Sequence, residues 1–495
     1  GLEEIITSAD IPGKNAFGVI PGFIDQPVFA EKRVRFKCEA VAAIIGQAST
    51  LAALDLSDVP ITWECLPSSH SVFDSEKGSA LLLHEDHANN LMCRGFVKSG
   101  DAAAALQNAE FTVSGDFKTG IVEHAYIEPE AGFAELKNGR LEIHACTQAP
   151  VMDRDSLASI LALDRSDIRI VPTAVGGGFG SKLDLSVQPF LALAALKTKM
   201  PVRICYSREE SMQSSTKRHP SNIYVKIGAD KSGTICGFIF DGAFDTGAYA
   251  SWGPTVANRV PVHASGPYVM SDYSASSRGI YTNNPPSGAF RGFGVPQAAI
   301  ALESMLDELA EKLSVDPLEF RLKNALDNGL TTVCGQIFKQ GVGIKSCLEA
   351  LQPAWLEERR KVEELNKTSD ILKYGVGVAA GWYGCGNTSL PNPSTIKAGI
   401  SFDGSIILHQ GAMDIGQGSN TVISQIFASA LGVPVTEIRL VGADTDKTPD
   451  AGKTSASRQT FVSGNAARLS GEKLRRQIIE RLNVSQNAEF SFKGS

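Results

Sequence analysis

Four separated segments of this sequence concentrate residues that could hold or act on a ligand. The first, Gly176-Gly177-Gly178-Phe179-Gly180-Ser181-Lys182, follows an apolar run ending at Val171 and leads into an apolar stretch near Leu185 to Leu196. A strand, a glycine turn and a helix in that order expose backbone N–H groups that can bind an anion. It is not a P-loop, because Ser precedes Lys and a bulky Phe sits inside the turn, and it fails as a dinucleotide fingerprint on spacing. Taken alone it reads equally well as a structural turn. The second, Ala289-Phe290-Arg291-Gly292-Phe293-Gly294, places rings on both sides of an arginine, a composition suited to a flat substrate. Its bland alternative is a buried Phe pair with Arg291 in an internal salt bridge.

The third, Asp414-Ile415-Gly416-Gln417-Gly418-Ser419, opens a helix; Gln417 offers donor and acceptor to a heterocycle, and the helix N-terminus favours a phosphate. The fourth, Thr454-Ser455-Ala456-Ser457-Arg458-Gln459-Thr460, is dense in hydroxyls around one guanidinium, which suits a phosphorylated cofactor. Each could be a mere loop, but together they are rich in donors and poor in acid–base pairs, which points to a large anionic cofactor. None of the eight histidines has a nucleophile motif nearby, so no Ser-His-Asp triad assembles. His124, in Glu123-His124-Ala125-Tyr126, reads as a structural histidine.

These loops need elements to carry them, and the sequence supplies the same unit twice. Leu141 to His144, a helix ending near Leu163, and the strand Ile168 to Val171 precede the first loop; about 265 positions later Ile406 to His409, a helix ending near Val433, and Ile438 to Val441 precede the fourth. Two such lobes can face one another across a shared cleft. Between them, Val295 to Leu313 reads as a packing helix with Ile300, Met305, Leu306 and Leu309 on one stripe and its acids in solvent; Asp316-Pro317 starts another helix running to Leu326. Residues 1–70 read as a small α+β lobe, with Val34 to Glu39 and Val59 to Cys65 extended and Ala48 to Leu54 helical, and 71–100 as a linker.

With 495 residues, two to four domains at roughly 150 each are expected. Lys plus Arg number 47 against 54 acids, a net charge of −7, which is the wrong sign for a nucleic-acid surface. No apolar run approaches the roughly 20 residues of a membrane span, and Gly1-Leu2-Glu3-Glu4 is no secretory signal; the chain reads as if an upstream segment preceded it. The nine cysteines form no C-x-x-C pair and no cluster for zinc or iron–sulfur, so a reducing, cytoplasmic setting is expected, with any iron–sulfur centre on another polypeptide.

Taken together, the motifs resemble the molybdenum-binding subunits of the xanthine dehydrogenase and aldehyde oxidase family, over nearly the whole chain. The carriers are His124 to Glu130, Gln148, Gly176 to Lys182, Ala289 to Gly294 with Pro296-Gln297, Gly416 to Gly418, and Thr454 to Thr460. The resemblance implies an α/β (α+β) fold: a hammerhead-like lobe over 1–70, a linker over 71–100, a first molybdopterin-binding domain over 101–328, and part of a second over 329–495. It implies a molybdopterin, in bacterial relatives usually the cytosine dinucleotide, whose dithiolene rather than a protein side chain holds the molybdenum. [2Fe–2S] clusters and FAD would sit on partner domains or subunits. By the family pattern Gln148 hydrogen-bonds a molybdenum oxygen, Gly177, Gly178, Phe179 and Gly180 approach the centre with Ala456 and Ser457, and Gly416, Gln417 and Gly418 contact the pterin. Ser455 and Arg458, Gln459 and Thr460 hold the pterin or its phosphates, while Phe290 and Phe293 clamp the substrate edge-on and face-on, with Arg291 fixing the loop.

The implied reaction is hydroxylation, with oxygen from water, of an aromatic N-heterocycle, a purine such as xanthine or hypoxanthine being the leading expectation. Aldehydes are the alternative, and a non-catalytic scaffold the competing class. Two positions depart from the pattern. Leu183 stands where purine-oxidising relatives place a glutamate, although Arg259 keeps the spacing of their substrate-orienting arginine. The glutamate base of the family's Gly-Glu-Pro/Gly segment has no counterpart, Gly471-Glu472 being a poor substitute, so the expectation is a chain continuing past Ser495 or a second molybdenum-subunit chain that supplies the base.

Overall fold

A computed structural model describes residues 1–368, 371–386 and 391–490 of the chain. Its α/β architecture is built on four sheets. The duplicated unit is present in both copies. In the first lobe Ala131–Lys137 and Arg140–Ala145 form an antiparallel hairpin, the helix Pro150–Leu161 crosses over, and Ile168–Pro172 returns parallel to Arg140–Ala145. In the second, Ile396–Ile400 and Ile406–Gln410 pair, Ser419–Leu431 crosses, and Ile438–Val441 returns parallel to Ile406–Gln410. Burial explains both. Leu141, Ile143, Ile168 and Ile170 meet Leu157 and Ile160 in one core, and Ile406 and Leu408 meet Ile423 and Phe427 in the other.

The two lobes are pinned by charge as well as by chain. Arg169, on the last strand of the first unit, reaches Glu142 at 2.7 Å and Asp444 of the second at 2.6 Å, and the Thr445 N–H donates to the Ile170 carbonyl at 3.1 Å. Beside them stands a five-stranded sheet in the order Leu91–Ser99, Tyr273–Tyr281, Ile235–Gly247, Ser221–Ala229, Phe111–Thr119. Phe238, Phe240 and Phe244 alternate onto its buried face against the helices Gly253–His263 and Val295–Leu313.

Several local expectations change. Val34 to Glu39 is a tight loop, not a strand, because Glu39 accepts the Arg35 N–H and Cys38 takes a left-handed φ of 73°. Val59 to Cys65 belongs to no strand, and the strands that do form there, Leu2–Thr7 and Ala42–Gly46, pair with each other. Ile6, Phe17, Val28 and Phe29 pack into the first lobe's core, so this N-terminal segment shares that core. Within 71–100, read as a linker, Leu91–Ser99 is an edge strand of the large sheet, paired antiparallel with Tyr273–Tyr281, a partner some 180 positions away.

On the helix Val295–Leu313 the stripe runs through Met305, Leu306 and Leu309, but Ile300 is exposed, since at 100° per residue it lies half a turn from Leu309. Glu303 is buried rather than solvated: it pairs with Arg321 at 2.8 Å and accepts the Tyr268 hydroxyl at 2.9 Å. Asp316 caps the following helix, Pro317–Asn324, by accepting the Leu318 and Glu319 N–H groups. Removing one partner from a buried pair strands the other charge, so Arg321→Met is expected to cost about 3–5 kcal/mol of stability in denaturant titration. A loss below about 1 kcal/mol would show the pair to be dispensable.

Candidate cofactor and substrate cavity

Loops at the strand ends of both lobes converge on one cavity of about 1370 Å³, larger than the roughly 300–1,000 Å³ of a pocket for a single small ligand. Its wall includes Gln148, Gly177, Phe179, Gly180, Arg259, Phe290, Arg291, Phe293, Gly416, Gln417 and the run Ser455, Ala456, Ser457, Arg458, Gln459, Thr460. Gly178 and Gly418 are not part of that wall.

Gln148 ties the two lobes together at the cavity floor. Its N–H donates to the Lys182 carbonyl, its own carbonyl accepts the Thr454 N–H at 2.9 Å, and its carboxamide donates to the Thr454 carbonyl at 2.7 Å while accepting the Gly180 N–H at 3.1 Å. The glycines of the first loop are required by this closeness. A Cβ on Gly178 would lie 2.4 Å from the Gln148 Oε1, and one on Gly180 would lie 2.4 Å from the Ala289 carbonyl at a φ of 120°.

Both rings of the aromatic loop are packed by other segments of the chain. Phe290 stacks on His124 with ring centroids 4.0 Å apart, and the Arg218 guanidinium lies 4.0 Å from the same ring. Two groups so close must take opposite faces, so Phe290 offers the cavity only its edge. Phe293 meets Trp252 edge-to-face at 6.1 Å and carries the Arg259 guanidinium 5.3 Å from its centroid. Arg291 makes no salt bridge with an acid among the described residues; it is exposed and lies over Phe179 at 5.4 Å, and its N–H donates to the Phe179 carbonyl. His124 is the structural histidine expected. Burial holds its pKa down to about 4, and the neutral ring contacts the Ala289 carbonyl through Nε2 at 2.8 Å.

Two polar groups turn inward instead of toward a ligand. The Arg458 guanidinium donates to the carbonyls of Ala451, Lys453 and Pro393, and the Gln459 amide to Lys453 and Thr454, so both shape the fourth loop. Gln417 likewise folds back, accepting the Ile415 N–H and donating to the Met413 carbonyl. The helix N-terminus at Ser419–Leu431 does not stand open to a phosphate: Asp414 already accepts the N–H groups of Gly416, Gly418 and Asn420. The wall also contains Tyr126, from the His124 segment, and three residues that local motifs did not mark: Trp252, Trp382 and Tyr383. Trp382 and Tyr383 lie within the glycine-rich stretch 375–386, and their aromatic pairing was the available signal. Arg218 had none.

The residues present fit a bulky anion. No carboxylate lines the cavity among the described residues, whereas backbone N–H groups and guanidinium groups do. Ser455 keeps a buried hydroxyl with no hydrogen-bond partner among the described residues. Glu472 pairs with Arg468 on a helix surface and has no place in this wall.

Comparison with known proteins gives this cavity a family. Residues 83–325 and 349–493 match two models described as molybdopterin cofactor-binding domains. The large molybdopterin subunit of nicotinate dehydrogenase from Eubacterium barkeri is 39% identical over 350 residues, 70% of this chain and 81% of that one. The xanthine dehydrogenase molybdenum-binding subunit of Escherichia coli O157:H7 is 33% identical over 90% of this chain and 60% of its own length. A solved aldehyde oxidoreductase from Desulfovibrio gigas superposes with a TM-score of 0.91 at 28% identity, covering 98% of this chain and 56% of that one. This chain therefore spans little more than half the length of the last two. It belongs to the molybdopterin-binding subunits of the xanthine dehydrogenase/aldehyde oxidoreductase family, a family of molybdenum-containing hydroxylases.

Gly178→Ala is expected to lower the molybdenum bound per chain at least about fivefold with unchanged far-ultraviolet circular dichroism, because the added methyl must displace Gln148; retained molybdenum would contradict the cradle. A second expectation concerns acid. The folded pKa of His124 lies near 4 against an ordinary 6.5, so the unfolded chain takes the proton first. Its contribution is whole above about pH 6.5 and falls away toward pH 4, by up to about 3 kcal/mol. His124→Phe should flatten that part of the pH–stability curve, and an unaltered slope would count against the burial argument.

Proposed function

We propose that this chain is the molybdenum-binding subunit of a hydroxylase acting on an aromatic N-heterocycle. The observation that carries the reading is Arg259, a buried guanidinium set in a carboxylate-free cavity wall between the rings of Phe293 and Tyr383, at 5.3 and 4.9 Å. A cation so framed orients the polar or anionic edge of a planar ring. Leu183, buried in the same wall, offers no hydrogen bond, so xanthine or hypoxanthine would lose one of two polar anchors. A one-ring acid of the kind named for the Eubacterium barkeri relative needs only the other. An aldehyde is the second reading, favoured by that same apolar Leu183 and by the aldehyde oxidoreductase likeness.

On this reading the first, third and fourth loops hold a molybdopterin, in its cytosine dinucleotide form, with Ser455 donating its free hydroxyl and the glycine loop supplying N–H groups. When bound, that cofactor supplies the two-electron redox chemistry of a hydroxylation whose oxygen comes from water. The protein's own task is orientation: Arg259 fixes the heterocycle's polar edge, Phe290 presents an edge, Phe293 bounds the ring, and Gln148 keeps the cofactor loops in register. The net reaction releases two electrons, which go to [2Fe–2S] clusters and FAD on partner subunits. It also releases protons, and a carboxylate from a second molybdenum-subunit chain would accept one of them. The nine cysteines, all free, suit a reducing compartment, and we place the complex in the cytoplasm. No helix among the described residues is long and apolar enough to cross a membrane.

Arg259→Met in the purified complex is expected to raise KM for a carboxylated heterocycle by about 10–100-fold while leaving an aromatic aldehyde within about twofold. Equal losses on both substrates would remove Arg259 from substrate recognition.

A further inference from the structure

The helix Gly253–His263 brings Trp252, Val256, Arg259 and His263 onto one face, because steps of four, three and four residues return to the same side. Trp252 and Arg259 both line the cavity, so the helix sets an apolar ring and a cation about 10 Å apart along its axis. Trp252 is 5% exposed and packs with Leu183, Val256, Ala149 and Ala289, while Phe293 meets it edge-to-face. The Lys453 ammonium lies 4.8 Å from its ring, next to the fourth loop. The indole is also held from behind. Ser251, at a left-handed φ of 43°, donates its hydroxyl to the buried Asp184 carboxyl at 2.8 Å. The remaining Asp184 oxygen and the Trp252 Nε1 are both buried without a partner at hydrogen-bond distance among the described residues, and the indole N–H is one of the groups acting on that carboxyl. Asp184 directly follows Leu183, so the first loop, the helix start and the fourth loop all meet at this ring.

We propose that Trp252 is the end wall that limits substrate length from Arg259, and that Asp184 is the positioning residue that fixes it through Ser251. A ring whose polar edge is held by Arg259 runs toward Trp252, and a second fused ring meets the indole. The cavity thus selects one-ring heterocyclic acids over two-ring ones. This rests on Arg259 as the substrate handle, and the test separates the two ideas.

Equilibrium binding of pyridine-3-carboxylate and quinoline-3-carboxylate to the purified complex, followed by calorimetry, reads the wall without turnover. Trp252→Leu should tighten the two-ring acid by about tenfold and leave the one-ring acid within about twofold. Asp184→Leu should shift the same ratio in the same direction, and Asp184→Asn, which can still accept from Ser251, should restore it. Near-ultraviolet circular dichroism should report loss of a fixed indole in Asp184→Leu and not in Asp184→Asn. Equal changes for both acids in Trp252→Leu would overturn the end-wall role, and Asp184→Leu with unchanged ratio and spectrum would overturn the positioning role. Should Arg259→Met leave both affinities unchanged while Trp252→Leu still alters their ratio, the handle fails and the wall stands.

Discussion

The pairing of Gln148 with Thr454 is the constraint on which the cavity depends. Their backbones and the Gln148 carboxamide form two hydrogen bonds between residues 306 positions apart, one residue from each lobe. The same carboxamide accepts the Gly180 N–H, so the glycine loop is fixed by the junction that fixes the fourth loop. The farther edge of the junction is closed by Arg169 between Glu142 and Asp444, and burial strengthens such charge-assisted bonds relative to water. Everything that touches the cavity is referred to this seam.

The seam explains why the glycines are where they are. A backbone that must approach another backbone within a carboxamide's length has no room for Cβ, which is why Gly178 and Gly180 are bounded at 2.4 Å on the contact side. It also explains why Arg458 and Gln459 turn inward. The fourth loop runs past the buried carbonyls of Ala451, Lys453 and Pro393, and these need donors, which Arg458 and Gln459 supply.

The duplicated strand–helix–strand pattern was legible in the sequence because each copy is local: alternating apolar residues, a helical stripe and a return strand lie within about forty positions. The glycine and hydroxyl loops were legible for the same reason, since their composition is unusual wherever they fold. What escaped reading depends on partners remote in sequence. Leu91–Ser99 becomes a strand only beside Tyr273–Tyr281, and Glu303 is buried only because Arg321 and Tyr268 meet it. Phe290 is packed by His124 and Arg218, both brought from other segments, which its local sequence does not announce. Arg259 and Trp252 share a helix face that seven-residue spacing allows, but only the folded chain turns that face to the cavity.

Whether loops from both lobes close on one cofactor is tested most directly by hydrogen exchange. Exchange of the backbone amides should be compared between the cofactor-loaded complex and the same complex after the cofactor has been stripped. Protection is expected to be lost together in 176–182, 289–294, 413–419 and 454–460, with the large sheet unchanged. Loss confined to the loops of one lobe, or spread evenly over the chain, would contradict it.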